Sequence, residues 1–579
     1  MCPTTVEAPA AERTPVLHKF IRTDFTSHED FFANYEIHAA ADYNFAYDVV
    51  DTLAAETPEK EAMVWCNDQG EEHRFTFADI KAGSDRYALA LQALGIRKGD
   101  SVMCMLKRRY EFWFFIIACH KIGAVIIPAT HMLTKKDIVY RVQKADVRLI
   151  ISVNDPYVLN CCREAMPECA GTVGHYCCLE PAEGFEDWGA LAAAQTGTWT
   201  KPTGAALSGG RDPLLAYFSS GTTGHPKMAL HDHYYTLAHI ATAKFWHGVD
   251  ETDLHLTVAD TGWGKAVWGK LYGEWICEAT VFTYDYGTKF QPSDLLTLID
   301  KYGITSFCAP PTIYRFFIKA DLSKHSLKSL KKSTTAGEPL NPEVYNRWLE
   351  YTGLKVREGF GQTETVLTIA NTVWMDPKPG SMGKPMPISR IDVYDPDGRL
   401  CDAGEEGELM IPIPNPADKP YGVFEQYFHD QERTDETVCP ISEEAGSPVF
   451  YHSGDTAWRD EDGYIWFKGR NDDIIKSSGY RIGPFEVESA LIEHPAVRES
   501  AITAVPDPVR GQIVKASIIL DPAYTPSEEL KKELQEHVKR VTAPYKYPRI
   551  IDFVTELPLT INGKIRRSEI KKKDMEKLG

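Results

Sequence analysis

The sequence has 579 residues, 43% hydrophobic and 25% charged, proportions that exclude a chain disordered along most of its length. Its 63 basic and 82 acidic side chains leave a net charge of −19, which argues against a general nucleic-acid binder. The 13 cysteines include no Cys-x-x-Cys pair, and the doublets Cys161–Cys162 and Cys177–Cys178 match no zinc spacing, so free thiols in a reducing cytoplasm are expected.

In chain order, residues 1–17 lack the basic start and apolar stretch of a secretory signal. Phe77 to Leu94 has helical spacing and ends at Gly95, and Ser101 to Met105 reads as a strand. The most apolar region, Tyr110 to Pro128, is interrupted by Glu111, His120 and Lys121, so it reads as a core helix and strand and no membrane span is expected. Further strands are expected at Val147–Ile151, Ala279–Tyr284, Ile304–Cys308 and Lys331–Thr335, separated by helices. That alternation predicts an α/β fold of mostly parallel sheets flanked by helices. From about Ile388 short alternating strands predict a β-rich subdomain, and residues 414–448 read as a loop-rich excursion. After Gly469 the pattern becomes a small α+β unit. The expected division is an N-terminal extension over 1–35, a large domain over 36–470 and a small mobile domain over 471–579.

The strongest local signal begins where the apolar stretch Leu214 to Phe218 feeds Ser219, Ser220, Gly221, Thr222, Thr223, Gly224, His225, Pro226 and Lys227. Glycines allow close backbone approach, amides and hydroxyls can cradle phosphate oxygens, and the lysine adds a point charge. It is not a Walker A loop, because only two residues separate Gly221 from Gly224 and Met228 follows the lysine. His231, His233 and His239 follow, and are read as ordinary residues at the start of the next helix rather than a metal cluster.

The loop resembles the phosphate loop of the AMP-forming adenylating superfamily of acyl-CoA synthetases, luciferases and peptide-synthetase adenylation domains. Other blocks follow in family order. Thr335 to Pro339, with Gly337, Glu338 and Pro339, resembles the adenine-side segment. Glu358, Gly359, Phe360, Gly361, Gln362, Thr363 and Glu364 resemble the block that holds adenine, α-phosphate and metal. Asp455, in Tyr451-His-Ser-Gly-Asp455, resembles the ribose ligand, and two acceptor oxygens suit a diol. The resemblance makes Arg470 a ribose or phosphate contact, Asp472 the hinge and Lys564 the catalytic lysine. It makes Thr363 an α-phosphate donor and Glu364 the Mg²⁺ ligand, as suits a hard oxygen.

The C-terminal blocks resemble the medium-chain acyl-CoA synthetases. They imply CoA contacts at Ser478, Gly479, Tyr480, Arg510, Lys539, Tyr547, Pro548 and Arg549, with Arg481 facing the acyl-adenylate. The segment Asp260 to Lys265 resembles the acyl-pocket lining, with Trp263 as a wall and Lys265 at the mouth. The resemblance implies activation of a carboxylic acid by ATP and transfer of the acyl group to CoA, with Mg²⁺; homo-oligomer formation is left open. Three rivals are weighed. A peptide-synthetase module should carry a carrier domain, and the sequence ends 15 residues after Lys564. Many luciferases end Ser-Lys-Leu, and this sequence ends Lys-Leu-Gly. An acid sensor should lose Lys564 or the phosphate loop.

Acetyl-CoA synthetases carry Trp where Gly361 stands. Replacing an indole by hydrogen predicts space for roughly three methylenes, about 2.4 kcal/mol or near fifty-fold in favour of longer acids. Trp263, Trp268 and Phe360 are expected to form the far wall. Gly361→Trp is then expected to move preference towards acetate or propionate while sparing ATP binding.

Overall fold

The computed structural model describes residues 13–219, 226–287, 291–444, 446–559 and 565–578. Within them four sheets are present, two of them large and mostly parallel. In the first, Val356–Gly361, Lys332–Ala336, Ser306–Cys308, Leu254–Thr257, Thr280–Asp285 and Glu61–Asn67 run parallel, with antiparallel strands at both edges. In the second, Pro213–Ser219 pairs parallel with Val125–Pro128 and antiparallel with Lys227–Asp232. These strands read as near-continuous apolar runs because helices cover both faces.

Local signals explain the helices. Thr76 and Asp79 form a reciprocal capping box that starts Phe77–Ala93, and the chain leaves that helix through Gly95 at φ +80°. Its inward face holds Phe77, Ile80, Ser84, Ala88 and Leu91, and Gly83 lets it approach Glu111–Ile122. A β-carbon on Gly83 would stand 2.7 Å from the Phe114 ring.

The third sheet is antiparallel and contains Glu406–Pro412, Val449–Arg459 and Ile465–Arg470. The fourth is built wholly from Ile475 onward. Gly511–Leu520 lies at its centre, beside Val497–Asp507, and the helices Pro484–Ile492 and Glu528–Val541 pack on it. The fold class expected from the alternation is therefore the one observed.

One local expectation needs correction and two gain detail. The described part of the expected N-terminal extension, residues 13–35, packs into the main core. Val16, Leu17, Phe20, Ile21, Phe25 and Phe31 are buried in the main core, and Arg13 grips the buried Glu278 through two hydrogen bonds of 2.8 and 2.7 Å. His231 does not lie on a helix: it sits on the strand Lys227–Asp232, and the helix begins at Tyr234. The stretch 414–448 is loop-rich as expected, with short regular elements inside it. The short strand Gln426–Tyr427 pairs with Ala229 and Leu230, and the helix Gln431–Thr437 follows.

Candidate active site

Expected nucleotide residues converge at the ends of strands from three sheets. Val356–Gly361 delivers Glu358, Gly359, Phe360 and Gly361 in register with Leu367–Ala370, and then Gln362, Thr363 and Glu364. Gln362 organises the group. Its amide nitrogen donates to Asp455 Oδ2 at 2.6 Å and to the Ser453 carbonyl at 2.9 Å, and the Tyr451 hydroxyl donates to its amide oxygen. Asp455 is buried and stands opposite Arg470 in the antiparallel register. Burial lowers the Arg470 pKa, but the carboxylates of Asp455, Asp472 and Glu364 outweigh it and leave the guanidinium above its ordinary value. Thr363 is fixed through its carbonyl, which accepts from His231 Nε2 at 2.9 Å.

Glu364 is nearly buried, and one of its carboxylate oxygens accepts from the Tyr427 hydroxyl at 2.8 Å. The same hydroxyl lies 3.5 Å from Lys227 Nζ, whose ammonium sits 4.6 Å from the centre of the Tyr427 ring. Tyr427 thus ties the phosphate-loop lysine to the expected metal ligand. The sequence reading missed it, because a two-residue strand inside a Pro- and Asp-rich stretch carries no periodic signal. The second oxygen of Glu364 receives no hydrogen bond from the described residues, so a hard oxygen donor is available beside Lys227 and fits Mg²⁺.

Glu358 is buried and accepts from the Leu340 amide at 3.2 Å; burial pushes its carboxyl well above the usual range, with the Leu340 hydrogen bond opposing it. Gly337 adopts φ +109°, a conformation that suits glycine at the end of Lys332–Ala336. Glu338 lies 3.8 Å from Arg315, and Pro339 leads to the Leu340 amide. Ser219 pairs with Lys227 across the strand ends. Ser220, Gly221, Thr222, Thr223, Gly224 and Lys564 lie outside the described residues.

On the acyl side Trp263 caps the helix Gly264–Gly269 and is half-buried. Lys265 Nζ donates to the Ala336 carbonyl at 2.9 Å, which ties this helix to the adenine-side strand. Gly361 overturns an expectation. A β-carbon there would run into the Trp268 indole and the Val366 carbonyl. Trp268 is 8% exposed and its indole N–H donates to the Tyr235 hydroxyl at 3.1 Å. The space over Gly361 is filled by Trp268 and is not open to three methylenes.

The eight expected CoA residues share the small domain and form two groups. Ser478 sits at φ +50°, its amide donates to the Arg510 carbonyl, and Arg510 reaches its hydroxyl at 3.2 Å. Gly479 follows at φ +86°, and Tyr480 stacks on Tyr545 at 4.0 Å. In the second group Lys539 and Arg549 flank the Tyr547 ring at 4.2 and 4.8 Å, and the Pro548 carbonyl accepts from Gln535. Arg481 does not face the nucleotide residues here; it is half-exposed and 3.8 Å from Glu406. Asp472 accepts at its carbonyl from Lys571, on the helix Arg567–Leu578.

His231, His233 and His239 do not form a ligand set. His231 goes to Thr363 and His233 to Ser208. Among the described residues, His247, His255 and Glu274 do bring one ligand atom each within 4.8 Å of one another. His255 is bonded at both nitrogens, to Ser306 and Thr257, and His247 bonds Glu274 through Nδ1, while His247 Nε2 is buried without a hydrogen-bond partner among the described residues.

A profile described as "AMP-binding enzyme" matches residues 50–427, and one described as "AMP-binding enzyme C-terminal domain" matches residues 486–564. The chain belongs to the AMP-binding enzyme family. It is 40% identical over 573 residues to the acyl-coenzyme A synthetase ACSM3, mitochondrial, of Pongo abelii, covering 96% of this chain and 95% of the relative. It is 39% identical to the human acyl-coenzyme A synthetase ACSM5, mitochondrial, over 92% of this chain and 91% of that one. Among solved structures, the anthranilate CoA ligase AuaEII in complex with anthranoyl-AMP superposes with a TM-score of 0.81 at 28% identity, over 93% of this chain and 99% of that one. An acyl-CoA synthetase of Brucella canis superposes with a TM-score of 0.67 at 31% identity, over 93% and 95%. Within the AMP-binding enzymes the chain groups with the medium-chain acyl-CoA synthetases.

Proposed function

We propose that this chain is an AMP-forming acyl-CoA synthetase that converts a short-to-medium carboxylic acid, branched or aryl acids included, into its CoA thioester. The observation that carries the reading is the Lys227–Tyr427–Glu364 chain, with Gln362, two residues before Glu364, bonded to Asp455: a cation, a carboxylate with one oxygen unbonded among the described residues, and a diol acceptor linked through neighbouring strand ends. The adenylate bound by AuaEII supports the same intermediate here.

In the first step the acid's carboxylate attacks the α-phosphorus of ATP and pyrophosphate leaves. Asp455 takes the ribose hydroxyls, Arg470 faces the ribose or phosphate, and Thr363 donates to the α-phosphate. Lys564 neutralises the charge that builds on the transferring group. Bound at Glu364, Mg²⁺ would spread that charge further. In the second step the small domain turns about Asp472 and brings Ser478, Gly479 and Tyr480 to the adenylate, with Arg481 turned from Glu406 towards the acyl group. The CoA thiolate then attacks the acyl carbonyl and AMP leaves. Arg510, Lys539, Tyr547, Pro548 and Arg549 supply cations and an aromatic face for the phosphates and adenine of CoA.

Two variants separate the steps. Lys564→Ala should abolish acid-dependent ATP–pyrophosphate exchange while leaving thioester formation from supplied acyl-AMP within a few-fold. Asp472→Pro fixes φ near −65° and should do the opposite. Parallel loss of both steps in either variant would refute the division of labour.

We place the enzyme in the cytoplasm, on the strength of described cysteines that are all free thiols. The relatives above carry the word mitochondrial in their names, so fractionation of the native cell decides the point.

A further inference from the structure

Resting on the acyl-CoA synthetase reading, we propose that the Tyr427 hydroxyl separates two opposite charges. It keeps Lys227 from pairing with Glu364 before ATP arrives, so the ammonium stays available to a phosphate and the carboxylate to a cation. Tyr427 is thus a positioning residue for the first step, acting through two groups that the reading assigns to ATP and its metal.

Lys227 and Glu364 share one neighbour. The Tyr427 hydroxyl donates to a Glu364 oxygen at 2.8 Å and lies 3.5 Å from Lys227 Nζ, and the ammonium sits 4.6 Å from the centre of the ring. A phenol has one proton to give and an oxygen that accepts, so it serves a carboxylate and an ammonium together. Among the described residues no ion pair joins the two charges directly; the phenol stands between them. Burial, and then the Glu364 charge, hold the phenol well above its ordinary pKa, so it stays a neutral donor.

The backbone fixes this hydroxyl from both sides. Tyr427 pairs with Ala229, two residues after Lys227, and the Phe428 amide donates to the Met228 carbonyl at 2.8 Å. The Phe424 amide donates to the Glu364 carbonyl at 2.8 Å, and the Phe424 and Tyr427 rings meet at 4.7 Å. Arg211 pins the segment before them through Asp232, Asp418 and Glu425. The phenol is therefore the rigid member, and Lys227, on a flexible four-carbon stem, is the one that moves. A phosphate oxygen draws the ammonium from a neutral phenol more readily than from a carboxylate, because bonds between two charged groups are the stronger ones. Without the hydroxyl, Lys227 would close on Glu364 and consume both the cation and the free carboxylate oxygen.

The test is calorimetric binding of ATP to the acid-free protein without Mg²⁺, joined to the Mg²⁺ dependence of pyrophosphate exchange. Tyr427→Phe keeps the ring and removes only the hydroxyl. It should weaken metal-free ATP binding by about tenfold and raise the Mg²⁺ needed for half-maximal exchange by a similar factor, with thermal unfolding close to wild type. Adding Glu364→Gln should release the lysine. The double variant should then bind metal-free ATP within about threefold of the Glu364→Gln single variant, a coupling that a merely structural tyrosine does not produce. Unchanged ATP binding and Mg²⁺ requirement in Tyr427→Phe, or a loss of binding that Glu364→Gln does not recover, overturns the separator and leaves the synthetase reading standing. A wild type that binds no ATP without Mg²⁺ but exchanges pyrophosphate with it does the same, since Lys227 is then not available to the phosphates. No acid-dependent exchange in the wild type overturns both.

Discussion

Replacing Glu364 by Gln is expected to lower acid-dependent ATP–pyrophosphate exchange by a hundredfold or more, about 3 kcal/mol in the barrier to the first step. The amide has the shape of the carboxylate, and its oxygen can still accept from Tyr427. The fold should therefore survive, and the loss should come from the missing charge beside the ATP phosphates. The variant should also need a higher Mg²⁺ concentration to reach half its residual rate. Thermal unfolding within a few degrees of wild type, together with the collapsed rate, separates this outcome from misfolding. Exchange within a few-fold of wild type at the same Mg²⁺ would remove Glu364 from the metal-binding role.

The second large effect lies at Gly361. Trp268 fills the volume over it, so Gly361→Trp forces two indoles into one space and presses on the Val366 carbonyl. Overpacking of this kind costs about 1–3 kcal/mol or more, so the single variant should be less stable and weak with every acid. Trp268→Ala should do the reverse to the pocket and lengthen the preferred acid, each added methylene being worth about 0.8 kcal/mol. Combined with Trp268→Ala, Gly361→Trp should recover stability and select acetate or propionate. Unfolding curves and exchange rates over an acid series measure all three variants. Normal stability and activity in Gly361→Trp alone would show that Trp268 swings away freely.

How far the sequence foretold this depends on distance along the chain. The nucleotide blocks were legible because each is a contiguous run at a strand end, such as Glu358 to Glu364 after Val356–Gly361. Helices such as Phe77–Ala93 announced themselves through a capping box and a periodic face. What stayed hidden was the matching of distant residues. Tyr427 reaches Lys227 across 200 positions from a stretch that reads as loop. Gly361 was read as open space because its occupant, Trp268, belongs to a different element. His239 looked like an ordinary helical residue, and only the packed structure shows its ring nitrogens without hydrogen-bond partners among the described residues. Residues 13–35 looked peripheral because their apolar residues lie in short irregular elements rather than one periodic run.

The central claim, AMP-forming activation of a carboxylic acid followed by transfer to CoA, is tested most directly by product identity. Purified full-length protein is incubated with ATP, Mg²⁺, CoA and a series of short-to-medium acids, and nucleotides and thioesters are separated and quantified. The account predicts AMP, pyrophosphate and acyl-CoA in equal amounts, with pyrophosphate exchange persisting when CoA is omitted. Formation of ADP and phosphate, or AMP release that does not depend on the acid, would contradict it.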